Sequence, residues 1–294
     1  VSDNLRGDPG TTCVLKLERP TADSTYIPME LKITRGTIRT NPVPYYGMVD
    51  KNIGYIAIST FAIEGCSKDI KKALIELKQQ GATSIVLDLR GNGGGLLSEA
   101  VNVVNFFVPK GKEIVVTKGK IKQAGSTYKT SNEPIDMEIP LTVLVDGATA
   151  SAAEIVSGSL QDLDRAVIVG NRTYGKGLVQ VPRELPYNSS MKVTTAKYYI
   201  PSGRCIQAID YAKRNADGSV ARIPDSLTTV FHTAAGREVR DGGGIQSVAG
   251  KAVDRLRRDG DELPGADGIR CLRDLGCDSF RVHASSADAR SFSA

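Results

Sequence analysis

What the chain lacks narrows its function before any motif is read. It has no run of eighteen or more apolar residues, so no segment reads as a membrane-spanning helix. Aromatic residues make up only 5% of it, and the net charge of +5 is spread out with no basic stripe between aromatics. That argues against nucleic-acid binding. The five cysteines (Cys13, Cys66, Cys205, Cys271 and Cys277) form no CxxC pair and no Cys/His cluster. A structural zinc is therefore not expected, and the odd number leaves at least one thiol unpaired. Cys13 and Cys66 read as small buried hydrophobes. Histidine is scarce: His232 and His283 are the only two, and neither stands in a triad context. Any serine chemistry must then find another base.

What is present suffices for one large core with appendages at 294 residues. Apolar and β-branched runs predict strands over residues 11–19, 26–39, 45–61, 84–89, 113–117, 141–145, 166–170, 178–185 and 191–199. Helical spacing predicts a helix over 67–80, with Ser67 as N-cap and Gly81 at the C-terminal stop. A second helix runs to Phe107 and a third spans 151–162. The alternation from Tyr55 to Gly170 predicts α/β layering. The polar stretch within 108–140, with Tyr128, Ser131 and Asn132, reads as a mobile flap.

The chain is organised around residues 146–180. Ser151 follows the apolar run Leu141-Thr142-Val143-Leu144-Val145 and opens a helix, where free N–H groups and the helix dipole favour developing negative charge. Lys176 lies twenty-five residues on, in Tyr174-Gly175-Lys176-Gly177, and Gln180 follows it. A serine there is ordinarily just an N-cap, and a lysine beside two glycines just a solvated loop residue. With no histidine to serve, however, Lys176 is the candidate base for a Ser151 nucleophile. Lysine acts so only as the free amine, which an apolar setting favours, and Tyr174, Leu178, Val179 and Val181 supply one. A neutral Gln180 can orient such a base, where a carboxylate would hold it as the ammonium. Upstream, Arg90-Gly91-Asn92-Gly93-Gly94-Gly95 links a strand to a helix. Four glycines in five positions exceed what a tight turn needs and let backbone N–H groups approach a reacting atom. Asp88 and Arg90 read as an ion pair or loop anchor rather than as catalytic groups.

Together these stretches resemble the carboxyl-terminal processing peptidases, or tail-specific proteases, of the Ser/Lys S41 family. The resemblance rests on Gly147-Ala148-Thr149-Ala150-Ser151-Ala152-Ala153-Glu154-Ile155, on Gly158-Ser159-Leu160-Gln161-Asp162, and on Arg172-Thr173-Tyr174-Gly175-Lys176-Gly177-Leu178-Val179-Gln180. Tyr198-Tyr199-Ile200-Pro201-Ser202-Gly203-Arg204 and Gly242-Gly243-Gly244-Ile245-Gln246 extend it, around an insertion over 208–240 typical of part of the family. It implies a serine endopeptidase that cleaves proteins near the C-terminus through an acyl-enzyme. Ser151, Lys176 and Gln180 would be catalytic, with the Gly95 and Ala152 N–H groups as oxyanion hole. It implies no metal or other cofactor and a protein substrate with an exposed C-terminus. It also implies a crotonase- or caseinolytic-protease-like spiral core over 21–246, preceded at 1–20 by the C-terminal remnant of a PDZ domain. The location it implies is the bacterial periplasm or cell envelope; the chain opens at Val1 in mid-pattern with no visible signal peptide.

Two rival functions are open to test. One is a catalytically idle peptidase-like scaffold, which intact Ser151, Lys176 and Gln180 argue against. The other is a nucleotide-binding P-loop, since residues 170–176 fit GxxxxGK. That motif needs Ser or Thr next and then a helix; Gly177 and the β-like Leu178-Val179-Gln180-Val181-Pro182 supply neither. After Gln246 the pattern breaks. Lysine gives way to arginine, and Gly, Asp and Ala dominate. Residues 247–294 thus read as an atypical tail, either disordered or the product of a shifted reading frame.

Overall fold

The computed structural model describes residues 5–247, except 22, 24, 38–39, 121–124, 215–216 and 219. The tail over 248–294, with Cys271, Cys277 and His283, lies outside the described residues. The chain divides into two compact units, Val1–Asn41 and Pro42–Ala294.

In the first unit, β1 (Thr12–Pro20) pairs antiparallel with β2 (Tyr26–Thr34) along its whole length. A boundary at residue 20 would thus fall between two strands that pair residue by residue. Cys13 and Leu15 sit half-buried on one face with Met29 and Leu31, while Val14, Tyr26 and Ile27 are exposed. Arg35 ties the ends together, its Nε donating to the Leu5 carbonyl at 2.9 Å.

The second unit is a mixed α/β fold. Its main sheet has the order β3 (Tyr45–Asp50), β4 (Ile53–Ala57), β5 (Ser84–Asp88), β8 (Leu141–Val145), β9 (Val167–Gly170). β3 is antiparallel and the other four are parallel. Between the parallel strands run α1 (Cys66–Gln79), α2 (Leu97–Asn105) and α3 (Ala152–Asp162). Each crossover steps to the next strand in the same direction. With crossovers of one hand, all three helices fall on one face. Residue alternation agrees: Ile56, Ile85, Leu87, Val143 and Ile168 join the helices in one large core. Ile53, Val86 and Leu144 form a small cluster on the opposite face.

A second sheet of four antiparallel strands has the order β10 (Leu178–Leu185), β11 (Ser189–Tyr199), β6 (Glu113–Gly119), β7 (Ser126–Lys129). The described part of the stretch expected to be a mobile flap is tied to neighbouring elements here. β7 pairs with β6, and the buried Asn105 accepts from the N–H groups of Ser131 and Asn132 and donates to the Asn132 carbonyl at 2.8 Å. Two short antiparallel pairs follow: β12 (Ile209–Arg214) with β13 (Val220–Arg222), and β14 (Val230–His232) with β15 (Glu238–Arg240).

One helix start differs from expectation. The N-cap of α1 is Gly65 rather than Ser67, with φ 81°. Its orphan N–H groups are met from α2: the Glu99 carboxylate accepts from Gly65 N–H at 3.0 Å and from Ser67 N–H at 2.8 Å. A carboxylate at a helix N-terminus also complements the dipole.

The far end of α3 is fixed by a buried ion pair. The Arg204 guanidinium, 1% exposed, donates to Asp162 Oδ1 and Gln161 Oε1, both at 2.8 Å, and to the Arg240 carbonyl at 3.0 Å. Truncating one member strands the other charge in the core. Asp162→Ala should therefore cost about 3–5 kcal/mol. A urea-unfolding midpoint close to that of the wild type would show that the pair does not carry this weight.

Candidate active site

The parallel strands β4, β5, β8 and β9 all end at one edge of the main sheet, where α/β folds place their ligands. The segments that follow are stitched together. Asn92 is buried; its Nδ2 donates to the Ile58 carbonyl at 2.8 Å, its Oδ1 accepts from Gly94 N–H at 2.9 Å, and its carbonyl accepts from Ala150 N–H at 2.9 Å. Thr149 Oγ1 donates to the Leu89 carbonyl, and Tyr174 N–H donates to the Thr149 carbonyl at 3.0 Å. The glycine loop, the serine loop and the lysine loop thus form one hydrogen-bonded body.

Ser151 is the N-cap of α3 and holds φ 57°, ψ −117°. A non-glycine residue rarely adopts this conformation, and it persists only where the surroundings enforce it. Two side chains do so. Glu154, one turn into α3, accepts from Ser151 N–H through Oε2 at 2.8 Å. The Tyr198 hydroxyl, carried in from β11, reaches the Ser151 carbonyl at 3.3 Å.

Both groups also grip the lysine loop. Glu154 Oε2 accepts from Lys176 N–H at 2.9 Å, while Oε1 accepts from Gly175 N–H at 2.7 Å and Thr173 Oγ1–H at 2.6 Å. The Tyr198 hydroxyl also donates to the Lys176 carbonyl. A carboxylate therefore clamps the amide side of residues 151 and 176, and a phenol clamps their carbonyl side. Both clamping groups are buried. Burial pushes the Tyr198 phenol well above its ordinary 10.0, and the charge of Glu154 adds to this, so it serves as a donor. Burial also pushes the Glu154 carboxyl above its ordinary 4.5, with the bonds from Thr173, Lys176, Gly175 and Ser151 opposing it.

A third strap is Gln207, from the segment before β12. Its Oε1 accepts from Gly177 N–H at 2.8 Å and its Nε2 donates to the Ile209 carbonyl at 3.0 Å. Lys176 lines a cleft of about 630 Å³ together with Ala148, Ala150, Leu178, Gln180 and Gln207. Gln180 stands on β10 beside a register shift, with Nε2 3.5 Å from Thr194 Oγ1.

Gly94 and Gly95 take left-handed backbone, φ 95° and 151°. A Cβ on Gly94 would lie 2.8 Å from both Ala152 N and Ser151 Cβ, so this loop abuts the start of α3. A Cβ on Gly95 would overlap the Phe61 backbone at 2.0 Å, and Phe61 and Gly95 form a parallel bridge. Asp88 and Arg90 form the expected pair: Arg90 donates through Nε and Nη2, and Tyr55 hydroxyl donates to Asp88 Oδ2 at 2.6 Å. His232 is on β14. The P-loop alternative fails on structure, because strand β10 and not a helix follows Lys176. The sequence reading missed Glu154, Tyr198 and Gln207; only Glu154 had a local signal, the Ser-x-x-Glu spacing of a capping box.

A sequence model of peptidase family S41 matches residues 52–212. The carboxy-terminal-processing protease of Bartonella bacilliformis is 38% identical over 213 residues, 70% of this chain and 47% of that protein. The carboxyl-terminal-processing protease of Picosynechococcus is 40% identical over 200 residues, 67% of this chain and 46% of that protein. The chain thus spans about half the length of the curated relatives it matches. Among solved structures, a photosystem II D1 C-terminal processing protease superposes with TM-score 0.51 at 33% identity, over 68% of this chain and 54% of that one.

The raised Glu154 carboxyl makes stability depend on pH with a definite sign. An acid whose folded value lies above its unfolded one stabilises fully below 4.5, and that contribution is lost as pH rises through the folded value. The urea midpoint of the wild type minus that of Glu154→Gln should therefore fall as pH goes from about 4 to about 8. A difference that stays flat or grows would refute the direction.

Proposed function

The chain belongs to peptidase family S41, and on that footing we propose that it is a serine endopeptidase using Ser151 as nucleophile and Lys176 as general base. The observation that supports this best is the shared clamp: one oxygen of Glu154 accepts from both Ser151 N–H and Lys176 N–H, at 2.8 and 2.9 Å. Two loops otherwise separated by α3 and β9 are thereby fixed side by side, with Lys176 opening into the cleft.

In this reading Ser151 Oγ attacks the scissile carbonyl and Lys176, as the free amine, takes the hydroxyl proton. The tetrahedral oxyanion lies at the start of α3, where the N–H groups of Ala152 and Gly95 stabilise it. The protonated lysine then gives its proton to the leaving amine, leaving an acyl-serine. Water, deprotonated by the same lysine, attacks the acyl carbonyl; the C–Oγ bond breaks, the lysine returns the proton to Ser151 Oγ, and the new C-terminal carboxyl group leaves. Gln180 keeps its place as the residue that orients the base, and its position in the Lys176 cleft is compatible with that.

The substrate we infer is a polypeptide cleaved near an exposed C-terminus, as the names of the relatives have it for those proteins. By the same resemblance we place the protein in a bacterial periplasm or envelope. We also read the second unit, from Pro42 to Gln246, as a spiral peptidase core of the crotonase type, for which the one-directional strand order is the support. The hairpin of β1 and β2 is read as the end of a PDZ domain.

Two outcomes test the chemistry. A fluorophosphonate probe should label the wild type, while Ser151→Ala should lose labelling and cleave unfolded protein on the order of 10⁴–10⁶ times more slowly. Lys176→Arg should be equally inert, because arginine does not deprotonate at working pH; labelling that survives there would remove the lysine from its role. For the substrate class, products from an unfolded protein are compared by mass spectrometry with its C-terminus free and amidated. Equal cleavage of both would remove the C-terminal preference.

A further inference from the structure

The cleft around Lys176 has a wall that the proposed chemistry does not use. Tyr174 projects from the lysine loop and is 39% exposed. Tyr211 reaches the same cleft from β12 and is 48% exposed. Leu178 adds an aliphatic surface, and Lys176 is the one charged residue among the described lining. Half-exposed phenol rings offer a large apolar face with a polar tip that stays wet. Such rings are typical anchors of recognition surfaces.

The hairpin that delivers Tyr211 is fastened to the lysine loop. Arg222 on β13 donates from Nη2 to the Tyr174 carbonyl at 3.2 Å. Ala208 N–H donates to the Gly175 carbonyl at 2.9 Å, and Ile223 N–H to the Ala208 carbonyl at 2.8 Å. Gln207 adds its bond to Gly177 N–H. The two tyrosines therefore sit on elements that hold each other in register around Lys176.

We propose that Tyr174, Tyr211 and Leu178 form a specificity subsite that takes one bulky apolar side chain of an extended, unfolded polypeptide. Three features point to that occupant. Tyr174, Leu178 and Tyr211 line the same cleft as Lys176, so a chain bound at the base lies beside them. It carries no acidic group among the described lining, so it offers nothing to a basic side chain. Its one basic side chain, Lys176, is the base of the proposed reaction and so is not available to hold an acidic side chain. The choice of a peptide as occupant rests on the peptidase reading.

The test separates the two ideas by measuring binding without turnover. In the Ser151→Ala chain, anisotropy titrations use fluorescein-labelled hexapeptides of glycine and serine, with a single phenylalanine placed at each position in turn. One register should bind roughly tenfold tighter than the peptide without phenylalanine, within the range that an apolar contact of this size supports. Adding Tyr211→Ala should abolish most of that gain, while Tyr211→Phe, which keeps the ring, should retain it. No gain in any register, or a gain that survives Tyr211→Ala, overturns the subsite. Cleavage of the same panel by the Ser151 chain reports on the peptidase reading alone: phenylalanine-dependent binding without cleavage keeps the subsite and rejects the protease.

Discussion

Everything at the sheet edge depends on where the Glu154 carboxylate spends its four hydrogen bonds. A buried carboxyl without donors would be untenable at neutral pH. Here the donors come from the serine turn and from three positions of the lysine loop, Thr173, Gly175 and Lys176. The desolvation of one side chain thus becomes a geometric constraint between two loops. The strained backbone of Ser151 is affordable because Glu154 holds its amide and Tyr198 its carbonyl. That is the general pattern of a conformation kept by over-determination from its surroundings.

The fold explains why so few residues can do this. Parallel strands deliver their C-terminal loops to a common edge, so Ile58, Asn92, Thr149 and Tyr174 meet without any long excursion. The helices lie on one face, and α3 brings Glu154 under the loops it binds. The antiparallel sheet then adds Tyr198 from β11, and the segment after it adds Gln207. Glu154 is thus contributed by one sheet system and Tyr198 by another, and both act on the same pair of residues.

Much of this was legible in the chain, for identifiable reasons. The strands β5 and β8 are short, wholly buried runs rich in Ile, Val and Leu, and the helix after Ser151 has clear 3.6-residue spacing. Ser151, Lys176 and Asp88 with Arg90 could be singled out because their chemistry is local. What escaped was non-local. Ser67 looks like an N-cap, but the acceptor for that helix start is Glu99, thirty-two residues on. The polar stretch at Ser131 and Asn132 looks mobile, but Asn105 satisfies its backbone from another element. Tyr198 reads as one more strand residue, because nothing in a β-run discloses which ring will be buried against two carbonyls.

The single-direction strand order also bears on how such a chain can change over time. Each step from one parallel strand to the next closes its own hydrogen-bond register before the chain departs again. New segments can therefore enter at a crossover without disturbing the edge. The step from β5 to β8 already shelters β6 and β7, which belong to a different sheet altogether. The hairpin of β12 and β13 likewise enters after the last main-sheet strand. The architecture separates what must be inherited intact, the converging strand ends, from what is free to be spliced in around them. Descendants of such a chain can diverge in what they recognise while the inner edge stays the same.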